Sequence, residues 1–213
     1  MGLDYKVFTS RHSGVSRTTP AGHDELKWVP TTSTLIFGQR DAVLVDTQLT
    51  MAAAKDLADW VVGTGKNLTT MYITHAHGDH FYGTSGQVGH TDTDDTTALW
   101  VPAIGLVVAG DAVYNNTHPY LGESKSQEAR SHWVAALDKI AALQPRIVVG
   151  GHSDLSKEFS PDAVQTTKDY LNDFARLDGQ TFTPEELYSQ MMELYPTRLN
   201  VGSLWGGATL VKK

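Results

Sequence analysis

Apolar and polar positions follow the same plan in two stretches of the chain. Residues 34–38 and 42–46 are short β-branched runs joined by a polar turn, which predicts a hairpin closed by Asp46. From 50 to 62, Met51, Ala54, Leu57, Ala58, Val61 and Val62 recur with the spacing of one helical face, and Gly63 and Gly65 end that helix. Residues 69–74 then read as a strand that delivers His75. The second stretch repeats this order. Residues 98–101, a Pro-Gly turn at 102–105 and residues 106–109 form a hairpin closed by Gly110 and Asp111. A helix over 126–143 places Ala129, Trp133, Ala136, Leu137, Ile140 and Leu143 on one face. Ser124 and Gln127 have capping-box spacing ahead of it, and Pro145 stops it. A strand over 146–150 delivers Gly151 and His152.

Hairpin, Asp, helix, strand and His thus occur in order twice. Both halves put a carboxylate and an imidazole just past the ends of strands, where open α/β sheets gather their sites. Beyond them the pattern predicts a helix from Ser160 and Pro161, a second from a capping box at Thr183–Glu186, and a last strand over 207–211. No stretch reads as an interdomain linker. The chain is read as one α/β domain over 1–213, with halves at about 30–80 and 90–155.

Composition narrows the class. Seventeen basic residues stand against 24 acidic ones, a formal charge of −7, and the basic residues are scattered. Nucleic acid and anionic membranes are therefore not expected partners. No apolar run approaches the ~20 residues of a membrane span. The first residues lack the basic-then-apolar pattern of a signal peptide, so a cytoplasmic location is expected. With no cysteine, disulfides and thiolate metal ligands are both excluded. Trp28, Trp100, Trp133 and Trp205 read as packing residues.

Chemistry concentrates in one place. Residues 75–80 read His75-Ala76-His77-Gly78-Asp79-His80, holding three of the nine histidines in six positions. Imidazole and carboxylate are the donors zinc prefers, about three or four to each ion. A solvated His-rich turn is the bland alternative, and the local concentration speaks against it. His90 sits in a polar, turn-like stretch and by itself reads as well as a loop residue. Asp46 and Asp111 each read equally as strand-end turn residues. His152 lies between small residues that let another backbone approach closely.

With these residues in view, the chain resembles the metallo-β-lactamase fold hydrolases, in particular a glyoxalase II-like, metal-dependent branch. The similarity covers most of the chain, including 44–47, 89–96, 105–111 and 149–152. All seven ligand positions of the family match in type and order. The resemblance implies a shortened αββα sandwich with two mixed sheets and two Zn2+ per chain, Fe or Mn being the other metals considered. It assigns His75, His77 and His90 to the first ion and Asp79, His80 and His152 to the second, with Asp111 bridging. Asp46 is expected behind a ligand His, fixing it by a hydrogen bond. One departure stands out. The family carries a helix and strand between the cluster and its third His, where this chain has only residues 81–89. Residues 83–87 read as a linker, as if a segment had been excised. Nine residues still reach up to ~30 Å, so the site is not forbidden. An apolar patch left uncovered there predicts a homodimer.

The function implied is hydroxide attack on an ester, lactone or thioester carbonyl of a small-molecule substrate. The hydroxide would be held between two ions roughly 3.5–4 Å apart, and Asp79 would orient it and take its proton. Tyr114, His118 and Tyr120 follow Asp111 and are candidates for the pocket mouth. Two other readings compete: a shortened scaffold that binds metal without turnover, and a mononuclear iron dioxygenase of the same fold. A nuclease of this fold would need a basic track that the chain lacks.

Overall fold

The computed structural model describes residues 2–11, 18–20, 22, 26, 28–75, 77, 80, 87–93 and 96–212, with the main chain alone at 51 and 87–89. The first half opens with β1 (Asp4–Ser10), β2 (Thr31–Phe37) and β3 (Asp41–Val45), then α1 (Met51–Gly63) and β4 (Asn67–Tyr72). They form one mixed sheet in the order β1-β2-β3-β4, antiparallel except where β3 meets β4. Short β5 (Gln87–Gly89) and β6 (Thr96–Thr97) pair with each other. The second sheet contains β7 (Leu99–Val101), β8 (Leu106–Asn115) and β9 (Ile147–Ser153), with β8 and β9 parallel. The helices α2 (Gln127–Ala142), α3 (Asp162–Asp178), α4 (Pro184–Leu194) and α5 (Val201–Val211) complete the chain.

Period-two alternation along the strands explains the layering. Leu35 and Leu44 turn to Leu57 and Val61 of α1, while their neighbours Ile36 and Val45 turn the other way. There they meet Val108 and Val149 of the second sheet. Val107 and Val148, one position along, face instead the helices carrying Trp133, Leu137, Ile140, Leu171 and Phe174. The order is therefore helix, sheet, sheet, helices, the αββα arrangement expected.

Several local expectations change. The N-terminal strand β1 pairs along its whole length with β2, yet its alternating residues were not assigned from sequence. The terminal strand expected over 207–211 is the helix α5. Its apolar, partly β-branched sequence suits a strand, but the chain packs it into the helical layer, with Leu204 and Ala208 fully buried. At Gly207 it lies against Leu121 and Phe174. The N-cap of α2 is Ser126, whose side chain accepts from Ala129 N at 3.0 Å; Ser124 is buried in other hydrogen bonds. The capping box at Thr183 and Glu186 forms as read. Among the described residues, no helix is long and apolar enough to cross a membrane.

Candidate metal centre

Strand ends bring the candidate residues together. His75 and His77 follow β4, while Asp111 lies in β8 and His152 in β9. Gly110 and Gly151 make the approach possible. Gly110 has φ 53°, and a Cβ there would overlap the Thr74 side chain. A Cβ on Gly151 would overlap Asp111 Oδ1 and stand 2.9 Å from His80 Cε1. Among the described residues, Asp46 is one of four non-glycine residues with positive φ, at 60°, a conformation that Asp tolerates better than most.

Asp46 is buried directly behind the cluster. Its Oδ1 accepts from Thr74 N at 2.7 Å, and its Oδ2 accepts from Thr74 Oγ1 at 2.8 Å. Because the Thr74 hydroxyl proton is used there, the 2.9 Å contact between Thr74 Oγ1 and His75 Nδ1 requires Nδ1–H as donor. His75 therefore turns a bare Nε2 inward. His80 Nδ1 lies 2.9 Å from Asp46 Oδ2, and His152 Nδ1 lies 2.8 Å from Pro30 O. Both of those acceptors call for the proton on Nδ1, which again leaves Nε2 facing in. His77 has the opposite orientation: Nε2 reaches Glu123 Oε1 at 3.4 Å and Nδ1 faces the cluster. Each of the four imidazoles thus has its outer nitrogen bonded to an acceptor, the arrangement that sets ligand orientation in metal sites.

The inward atoms form two groups. His75, His77, Asp92 and Asp111 offer ligand atoms within 4.8 Å of one another, and so do His80, Asp111 and His152. Asp111 belongs to both. Its Oδ2 stands 2.9 Å from His152 Nε2 and 3.7 Å from His75 Nε2, and its Oδ1 is 3.4 Å from His80 Nε2. The Tyr114 hydroxyl donates to Oδ2 at 3.0 Å. Asp111 Oδ1 and Asp92 Oδ2 are buried without a hydrogen-bond partner. Two buried carboxylates with lone pairs turned inward are costly unless cations meet them. The residues present fit divalent metal.

Electrostatics agree. Burial pushes the Asp111 carboxyl up, but His152, His80 and His75 outweigh it and hold it well below the usual carboxylate range. Burial, and then the neighbouring Asp111, raises Asp92. Burial lowers His77, yet Asp92, Asp111 and Glu123 together lift it to about 9. Without metal, a proton on His77 takes the place of a cation between the carboxylates, and metal binding must release it.

The structure brings together His75, His77, His80, Asp111 and His152, with Asp46 behind two of them. Asp79 lies outside the described residues. His90 is not among the converging atoms: its Nε2 lies 2.9 Å from Ser124 Oγ, and Asp92, two residues on, is among them. Of the residues expected at the mouth, Tyr114 and His118 are fully buried, on Asp111 and on the Tyr170 hydroxyl respectively. Neither offers surface to a substrate. Tyr120 is partly exposed, its ring 6.0 Å from that of His77. Sequence reasoning missed Asp92, Thr74, Pro30 and Glu123. Only Thr74 and Asp92 carried a local signal, as polar neighbours of His75 and His90.

Comparison with known proteins gives a family match and a shared fold. Residues 26–86, which include His75, His77 and His80, match the model of the metallo-beta-lactamase superfamily. Sequence comparison with curated proteins gives no match. Among solved structures, VMB-1 aligns with TM-score 0.61 and 15% identity over 82% of this chain and 98% of its own. The metallo-beta-lactamase FIM-1 from Pseudomonas aeruginosa, in a mono-zinc form, aligns with TM-score 0.59 and 14% identity over 81% and 96%. The metallo-beta-lactamase from Pontibacter korlensis gives 0.57 and 15% over 80% and 99%. At such identities the likeness is one of fold.

Proposed function

Since the family match and the shared fold support assigning this chain to the metallo-beta-lactamase superfamily, we propose that it is a metal-dependent hydrolase. It holds two divalent ions, zinc first among them, and opens an ester, lactone or thioester carbonyl of a small molecule. The observation that carries this reading is the set of four imidazoles, each with its outer nitrogen on an acceptor and its inner nitrogen turned to Asp111 or Asp92. The first ion would be held by His75, His77 and Asp111, and the second by His80, His152 and Asp111. Bound divalent ions supply Lewis acidity and a water whose pKa is lowered toward neutrality.

The chain's own residues do the rest. Asp46 and Thr74 fix the tautomers of His75 and His80, and the Tyr114 hydroxyl fixes one oxygen of Asp111. Burial, with Asp111 adding to it, raises the Tyr114 phenol well above its usual range, so it stays a donor at neutral pH. Tyr120 forms part of the entrance, and Asp79 accepts the proton released by the attacking water.

The test is to strip the protein with chelator, reload it with Zn2+, count ions by elemental analysis, and assay lactone, thioester and aryl-ester substrates. Two ions per chain and hydrolysis that follows them are expected, and His77→Ala should abolish metal-dependent turnover. Full activity in His77→Ala would sink the assignment. Two zinc ions with no turnover on any substrate would favour the scaffold, and one iron per chain the dioxygenase.

A further inference from the structure

The linking stretch after the His cluster carries His90 and Asp92 within one turn-like segment, and the structure treats them differently. Asp92 is fully buried. Its Oδ1 accepts from Thr91 Oγ1 at 3.2 Å. Its Oδ2 stands 3.0 Å from His77 Nδ1 and 4.0 Å from His75 Nε2, without hydrogen-bond geometry to either. A buried carboxylate oxygen that lies among inward imidazole nitrogens, paired only with the His77 nitrogen that would itself bind a metal, is placed as a ligand rather than as a turn residue.

His90 is committed elsewhere. Ser124 Oγ donates its only proton to Thr91 O at 2.5 Å. The 2.9 Å contact between His90 Nε2 and Ser124 Oγ therefore needs the proton on His90. That nitrogen is turned to Ser124 and away from the cluster, and His90 contributes no atom to the two converging groups found among the described residues. The same Ser124 contact ties residues 90–91 to the segment leading into α2, and this leaves Asp92 as the residue turned toward the cluster.

We propose that Asp92 is a ligand of the first ion, in the position where the resemblance places His90. The first ion would then be held by two imidazoles and a carboxylate, with Asp111 shared. This donor set is harder than three imidazoles and suits Mn2+ or Fe2+ as well as Zn2+. The inference rests on the reading of the cluster as a two-ion centre.

The experiment compares the full-length protein with His90→Ala and Asp92→Asn. Ions per chain are counted after equilibrium dialysis against Zn2+, and circular dichroism checks folding. The wild type and His90→Ala should hold two ions, while Asp92→Asn should hold one, with the affinity of the first site lowered ~100-fold or more. Loss of an ion from His90→Ala overturns the proposal whatever Asp92→Asn does, and so does a folded Asp92→Asn that keeps both. Should Asp92→Asn fail to fold, His90→Ala alone decides: two ions retained supports the proposal. A wild type that binds no ion would refute the metal centre itself, an outcome distinct from either variant's result.

Discussion

The two halves share a plan and hold it in place by different means. In the second half, Asp111 and His152 lie within strands, and all ten residues of β8 are buried between the first sheet and the helical layer. In the first half, His75, His77 and His80 follow a strand whose residues 67–71 are exposed. Hydrogen bonds to Thr74 and Asp46 hold His75 and His80, and a contact with Glu123 holds His77. Packing positions one set of ligands and directed polar contacts position the other. The lesson is that similar ligand placement can rest on unequal burial.

The largest expected effects test that inequality. Trp133 is fully buried, packs 6.1 Å from the Tyr114 ring and donates to Ala112 O at 2.9 Å. Trp133→Ala should cost about 3–5 kcal/mol in urea unfolding, the range for large core truncations. Leu57 anchors the smaller cluster under α1, beside the partly buried Phe8 and Trp60. That cluster is smaller and bordered by partly buried residues, so Leu57→Ala should cost about 2–3 kcal/mol. Equal losses at the two sites would remove the comparison.

Thr74→Val comes next, because it removes the hydroxyl and keeps the shape. The Asp46 carboxylate and His75 Nδ1 would each lose a partner in a buried place. The expected loss is about 1–3 kcal/mol of stability, together with a 10–100-fold drop in metal affinity read by competition with a chelator. A variant that loses stability but binds metal as tightly as before would show that Thr74 does not set the tautomer of His75.

The repeated hairpin, Asp, helix, strand and His could be read because each element keeps its period over enough residues. The αββα layering was implied by the resemblance, and the alternation along the strands produces it. Three features were not legible, for physical reasons. Strand β1 is recruited by β2 along its whole length, and the short alternation of residues 4–10 drew no assignment without that partner. Helix α5 contradicts the strand-like character of its residues because burial against Leu121 and Phe174 overrides local preference. In the site, residue types pointed to an imidazole–carboxylate cluster, but the acceptors that orient it come from far along the chain, at Pro30 and Glu123. That Asp92 and not His90 is turned toward His75 and His77 depends on how the segment is held against Ser124, which spacing does not encode.

The smallest expected effect lies on the face that the first half leaves uncovered. Met71 is registered beside Leu44, which α1 buries, yet Met71 is 54% exposed and Val62 on the helix is 76% exposed. The helix covers β3 and leaves much of β4 open, at the edge of the sheet. Met71→Lys should therefore change unfolding free energy by no more than ~0.5 kcal/mol, as for other surface substitutions. The same variant tests the expectation of self-association. If this edge carries a homodimer, sedimentation velocity will show a wild-type dimer that Met71→Lys dissociates, since a charge on an edge strand opposes edge-to-edge pairing. A monomeric wild type would retire that expectation. A stability loss well beyond the surface range would show that Met71 is covered after all, and that the first half is packed more like the second than its strand burial indicates.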